Sequence, residues 1–264
     1  TTIKPDSTIT DKNIFTNINK EIEQAESAKD GNKPSIATTQ FVGRKVPFKV
    51  ETTVPNAAAE ITTPGQLDKF IFEVTDAWTS GLDFHQETLK VTVGGKELVA
   101  GDDYELQYTP GVKNTENGRE FFVVKFNKLI KDGKQNTDLY MPGAKVVIQY
   151  ESTLNENAVV TFTEKNIPSV KFGHEETPRT EVGNETFVYD IDLDLVKVDK
   201  NNTETKLAGA KFVMYQKVAD GIQLYQDIQK DEEGNYVARW SETMSAEDFD
   251  AAVKSGDIAK MTTV

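Results

Sequence analysis

Residues 70–95 read FIFEVTDAWTSGLDFHQETLKVTVGG. Phe70, Phe72 and Val74 alternate with polar neighbours, and Leu89, Val91 and Val93 do the same before the Gly94-Gly95 pair. Successive side chains of a strand point to opposite faces, so each run is a half-buried strand, and the glycine pair is a hairpin signal. The period of two recurs at Val46, Phe48, Val50, at Tyr104, Leu106, Tyr108, at Phe122, Val124, Phe126 and at Val146, Ile148, Tyr150. Short strands parted by Gly, Pro, Asn and Asp turns predict an all-β chain of tandem Ig-like sandwiches. The polar stretch from His174 to Glu185 (HEETPRTEVGNE) reads as a linker, so the domains are expected at 1–182 and 183–264. Two segments are expected to be short helical insertions: 21–29, ending at Asp30-Gly31, and 245–260, which opens on a Ser N-cap candidate with acids in its first turn.

The chain has 264 residues, 43 acidic against 30 basic, for a net charge of -13. That surface repels phosphate backbones and anionic lipid. No apolar run is long enough to span a bilayer, and there is no cysteine for a disulfide, a thiolate nucleophile or a metal site. The two histidines, His85 and His174, leave little material for a catalytic triad or a zinc centre and are expected at the surface. Neither a cofactor nor a metal is expected. Asp102-Asp103 and 231–235 (DEEGN) lack EF-hand spacing and read as solvated turns. Trp78 and Trp240 are expected in packing roles. A carbohydrate-active enzyme would need a pair of acids in a cleft, which the sequence does not show.

The informative residues are polar ones on apolar faces. Ile14, Thr16, Ile18, Lys20 and Ile22 share parity, which aims Lys20 where the isoleucines point. Asp76 continues the face of Phe70, Phe72 and Val74, and Asn166 lies on the face of Phe162, Val170 and Phe172. Lys197 shares the face of Ile191, Leu193 and Leu195, opposite Asp190, Asp192 and Asp194. Charges buried alone are costly, so these groups are expected to be paired or neutral. An amine in apolar surroundings loses its proton and becomes a nucleophile. A carboxyl in the same place can polarise an amide and pass protons to departing ammonia, and a rigid fold supplies the proximity. Lys, Asn and an acid together can therefore form a Lys–Asn isopeptide bond, once and without a cofactor.

At these residues the sequence resembles the backbone (shaft) pilins of Gram-positive sortase-assembled pili. Residues 46–84 (VPFKVETTVP…FIFEVTDAWTSGLDF) look like the family's middle domain, 90–108 (KVTVGGKELVAGDDYELQY) like its hairpin, and 146–159 (VVIQYESTLNENAV) like its "v.Y.a.lNe.Av" strand. Residues 165–173 (KNIPSVKFG) look like the closing strand that carries the bonded Asn, and 189–215 (YDIDLDLVKVDKNNTETKLAGAKFVMY) like the start of a CnaB-type domain. The resemblance implies a cross-link between Lys20 and Asn166 catalysed by Asp76; should Asp76 not be the acid, Glu164 or Glu73 is next in line. It also makes Lys197 the isopeptide lysine of the second domain. It implies an extracellular, cell-wall-anchored pilus and no enzyme activity beyond self-cross-linking. The partners it implies are further copies of the chain, a pilus-specific sortase, minor pilins and a host matrix protein, with no nucleic acid and no membrane insertion. The family's YPKN-type lysine motif and LPxTG sorting signal are not in the sequence, and the strands that would carry an acid and an Asn for Lys197 are missing. The expectation is a fragment, with Lys197 unbonded and the second domain the more labile. The alternative function is a wall-anchored adhesin that grips host extracellular-matrix protein.

Overall fold

The computed structural model describes residues 16–23, 35–158, 162–190, 196–209, 212–230 and 236–255. One sheet has the strand order β1-β3-β11-β5-β6, made from β1 (Asn19–Ile22), β3 (Lys45–Thr53), β5 (Leu82–Val93), β6 (Lys96–Glu97) and β11 (Lys145–Leu154). The second has the order β2-β14-β12-β4-β8-β7, from β2 (Ala37–Gln40), β4 (Phe70–Trp78), β7 (Glu105–Lys113), β8 (Glu120–Lys125), β12 (Thr163–His174) and β14 (Thr186–Asp190), with β13 (Arg179–Val182) also on β12. A two-residue pair, β9 (Ile130–Lys131) and β10 (Lys134–Gln135), lies to one side. The chain is all-β, as expected.

The period of two explains the core. In β3 the buried residues are Val46, Phe48, Val50 and Thr52, and in β11 Val146, Ile148 and Tyr150 answer them. In the other sheet Phe70, Phe72 and Val74 of β4 face inward beside Val170 and Phe172 of β12. The two inner faces make one apolar cluster in which Trp78, Phe48 and Phe122 are fully enclosed. Burying such side chains is the dominant source of stability, at roughly 25 cal/mol per Å² of apolar surface.

The stretch expected to be a linker is instead part of the first sandwich. Strand β13 covers β12 from Ser169 to Phe172, and β14 covers it from Thr163 to Asn166. Strand β14 then pairs with β2 in parallel. The expected boundary at 182/183 therefore cuts a sheet, whose pairing runs on to Asp190. Polar composition misled here because β13 is exposed along its whole length. Between its two partners β12 places Pro168, which has no N–H to offer, and the Pro168 carbonyl accepts from Gly183 N–H at 2.9 Å.

Other expectations resolve in the same way. Glu21 and Ile22 belong to β1, not to a helix, and residues 24–29 lie outside the described residues. Helix α1 (Ala57–Glu60) is a single turn capped by Asn56. Helix α2 (Ala246–Ser255) forms where a helix was expected. Its Ser245 hydroxyl accepts from Asp248 N–H at 3.1 Å and donates to the Asp248 carboxylate at 2.7 Å, which fixes the start. Three strands, β15 (Tyr215–Val218), β16 (Gly221–Lys230) and β17 (Tyr236–Trp240), form a separate sheet, on which Phe249 packs against Tyr215. Trp78 sits in the core and Trp240 packs against Phe41 and Tyr225, as expected. No helix among the described residues is long and apolar enough to cross a membrane.

Gly183 passes so close to β1 that a Cβ there would lie 2.8 Å from the Ile18 carbonyl oxygen and 2.9 Å from Pro168 Cγ. Backbone cannot yield as a side chain can. Gly183→Ala should cost about 1–3 kcal/mol, as overpacking does, read as a lower denaturant midpoint. An unchanged midpoint would contradict this contact.

Candidate functional site

Lys20, Asp76 and Asn166 come together between the sheets. Lys20 enters from β1, while Asp76 and Asn166 enter from the adjacent strands β4 and β12. In that pair Asn166 stands opposite Trp78 and Pro168 opposite Asp76, so the acid and the amide are diagonal neighbours on one face. The inward parity read for all three holds, with Lys20 2% exposed and the other two fully buried. Phe162, read on the same face as Asn166, is exposed. It precedes β12 and is not held by the alternation.

A fourth residue completes the group. Tyr150 of β11 is also buried, and its ring stacks on Phe48 at 5.4 Å. Lys20 Nζ donates to Asp76 Oδ2 and to Tyr150 Oη, the latter at 2.6 Å. Tyr150 Oη donates to Asp76 Oδ2 at 2.8 Å and accepts from Asn166 Nδ2 at 2.6 Å. The ammonium lies 4.7 Å from the ring centres of both Phe48 and Tyr150. Asp76 Oδ1 and Asn166 Oδ1 are buried without a hydrogen-bond partner among the described residues.

Burial pulls the Lys20 ammonium down to about 8, although the neighbouring Asp76 charge and its hydrogen bond pull the other way. Burial, then the Asp76 charge, pushes the Tyr150 phenol well above its ordinary value. The site thus holds an amine that gives up its proton readily, an acid in contact with it, and an amide with a free carbonyl oxygen. That set can perform an acyl transfer from the amide nitrogen of Asn166 to Lys20.

The backbone of Lys20 is held separately. Its N–H donates to Asn184 Oδ1 at 2.9 Å, and its carbonyl accepts from Asn184 Nδ2 at 2.7 Å. One side-chain amide thus does for the outer edge of β1 what a neighbouring strand would do. Glu164 is buried as well, but its carboxylate accepts from Gly81 N–H at 3.0 Å and from the Thr79 hydroxyl, which occupies it away from Lys20. Glu73 is half-buried near Lys125 and Lys171. Asp76 is the acid at the lysine.

Lys197 stands apart. It is exposed, where an inward position was expected, and it belongs to none of the described strands. Its carbonyl accepts from Leu207 N–H at 2.7 Å. The parity was read on residues 191–195, which lie outside the described residues. His85 corrects another expectation. It is buried on β5, its Nε2 2.6 Å from Thr153 Oγ1, although its register partner is Glu151 and it is the neighbouring Phe84 that packs on Trp78 and Tyr150. His174 is half-buried. Asp103 accepts from Val99 N–H at 2.9 Å as a turn residue, and 231–235 lie outside the described residues. Among the described residues no cluster of three or more His, Asp or Glu is arranged to hold a metal.

No protein-family model matches the chain, and no curated protein does. Solved structures do match. The chain is similar to the 35 kDa C-terminal fragment of the major pilin GBS80 of Streptococcus agalactiae, at 17% identity and a TM-score of 0.54, over 85% of this chain and 75% of that one. It is similar to the full-length major pilin SpaD of Corynebacterium diphtheriae, at 20% identity and a TM-score of 0.50, over 84% of this chain and 46% of that one. A backbone pilin of Streptococcus pyogenes with a modular three-domain structure matches at 18% identity and a TM-score of 0.50, over 88% of this chain and 46% of that one. The fold is therefore that of Gram-positive backbone pilins, and the chain spans less than half the length of the second and third of these.

The lowered Lys20 pKa has a sign that can be tested in an Asn166→Ala protein, where no bond to residue 166 can form. A lysine whose pKa falls to about 8 on folding binds more protons unfolded than folded between pH 8 and its ordinary value of 10.5. Stability from this group should therefore rise with pH from 8 to 10. Above pH 10 the buried tyrosines, whose pKa values are raised, reverse the trend. Denaturation at a series of pH values reads this directly, and stability falling from pH 8 to 10 would contradict it.

Proposed function

We propose that this chain is a structural subunit of a pilus shaft on a Gram-positive cell surface, with its first sandwich closed by a self-formed amide between Lys20 Nζ and Asn166 Cγ. The observation that carries this reading is the buried cluster of Lys20, Asp76 and Asn166 between the sheets of a pilin fold. A lysine, an acid and an amide have no packing reason to share a buried core. They have a chemical one.

The steps balance. Lys20 passes a proton to Asp76, and the free amine attacks Asn166 Cγ. The carbonyl oxygen takes up charge, collapses back, and Nδ2 leaves as ammonia after gaining a proton. A new C–N bond replaces the old one, and both formal charges of the ion pair are gone. The chain turns over once, on itself, and needs no cofactor. In water such an amide is unreactive, and fixed proximity supplies the difference.

The bond would join β1 to β12, the early and late strands of the sandwich. Closing a loop from residue 20 to residue 166 is worth on the order of 5 kcal/mol in the chain-entropy picture. Its larger effect is mechanical, because load passing between those strands would bypass the strands between them. A shaft that supports adhesion to a host needs that resistance. Its partners under this reading are further copies of the chain, the sortase that links them, minor pilins and a host matrix protein.

Asp76→Ala should leave a folded protein at the full sequence mass, while the native protein should be one ammonia lighter. If Asp76→Ala still loses ammonia at the native rate, the acid is misassigned. In single-molecule pulling, the native chain should extend only through segments outside positions 20 to 166, and Lys20→Ala should release the hidden length. Equal extension of the two proteins would remove the load-bearing role.

A further inference from the structure

Tyr150 touches every reacting group of the proposed cross-link. A phenol has one proton to donate and two lone pairs that accept. Here the proton goes to Asp76 Oδ2 at 2.8 Å, and the oxygen accepts from Lys20 Nζ and from Asn166 Nδ2, each at 2.6 Å. Asp76 is hydrogen-bonded to Lys20 and to Tyr150, and among the described residues Asn166 Nδ2 donates to Tyr150. The acid and the nitrogen that must leave are thus joined through the phenol oxygen.

That placement bears on the hardest step. An amide nitrogen departs only after it gains a proton, since the anion is too basic to leave. The proton starts on Lys20, and Asp76 is the group positioned to receive it. From Asp76 the hydrogen-bonded path to Nδ2 runs through Tyr150. We propose that Tyr150 is a catalytic residue of cross-link formation, its hydroxyl giving a proton to Asn166 Nδ2 while taking one from Asp76.

The balance is complete within the chain. Lys20 Nζ gives a first proton to Asp76, Asp76 passes it to Tyr150 Oη, and Tyr150 passes its own to Nδ2. After attack, Nζ gives up a second proton to Asp76. The products are the amide, ammonia, neutral Asp76 and an unchanged phenol. Burial and the Asp76 charge keep the phenol protonated at neutral pH, as a donor must be. The ring is fixed by Phe48 at 5.4 Å, Phe84 at 5.3 Å and Phe122 at 5.2 Å, so the hydroxyl is aimed by packing. Packing alone would be served as well by phenylalanine, which would spare the core a polar group.

This inference rests on the Lys20–Asn166 reading, and one experiment separates the two. The full-length chain is made by pulsed cell-free synthesis, and the loss of ammonia is followed by intact mass. The native chain should lose one ammonia; if it never does, both the cross-link and the role of Tyr150 fall. Tyr150→Phe keeps the ring and should slow the loss about 100-fold, within the range of general acid–base effects. Its fold is checked by comparing Lys20→Ala with Lys20→Ala/Tyr150→Phe, which should melt alike. Tyr150→Phe reacting at the native rate would overturn the role of Tyr150 and leave the cross-link standing. Where Tyr150→Phe does not fold, 3-fluorotyrosine at position 150 decides. Its more acidic phenol keeps the shape and should speed ammonia loss, and an unchanged rate would overturn the proposal.

Discussion

A charge pair enclosed between two sheets is the constraint on which the rest of this structure depends. Lys20 and Asp76 meet with both side chains wholly shielded from solvent, and Tyr150 Oη bonds them both. Burying two charges costs several kcal/mol for each ion, and their attraction recovers that only in good geometry. Removing one partner strands the other, at a cost of about 3–5 kcal/mol. The pair is thus a poor device for stability taken alone. Under the proposed cross-link it is a reactant, because forming an amide from the lysine would remove both charges and replace a marginal contact with a covalent one.

Much of the surrounding fold serves to hold that reactant still. Strand β1 has four residues and lies at a sheet edge, where a short strand would fray. Asn184 grips the free backbone edge of Lys20, and Gly183 lets the chain come close enough for it to do so. Both residues lie where β12 exchanges one edge partner for another, around a proline that has no N–H to leave unpaired. The aromatic rings of Phe48 and Tyr150 close over the ammonium and keep water out.

The sequence showed the three clustered residues because the alternation of β1, β4 and β12 runs through Lys20, Asp76 and Asn166. A charged or amide side chain at an even step stands out against a run of Ile, Phe and Val. Tyr150 did not stand out, since tyrosine is as ordinary on a core face as phenylalanine, and its hydroxyl carries no periodic signal. Asn184 was hidden for a different reason. A side chain that bonds a distant backbone leaves no pattern in its own neighbourhood, and its neighbours are polar enough to read as linker. His85 and Lys197 erred in opposite directions. His85 was judged by residue type and is nevertheless buried beside Thr153, and Lys197 was judged by a register whose supporting residues lie outside those described.

The central claim is that Lys20 and Asn166 are one covalent unit. The direct measurement is a peptide map of the purified native protein with tandem mass spectrometry. The account predicts a branched peptide in which the segment around Lys20 is joined to the segment around Asn166, one ammonia lighter than their sum, with fragment ions that place the junction at those two side chains. Recovery of both segments as separate linear peptides, with an unmodified Lys20 and an intact Asn166, would contradict it.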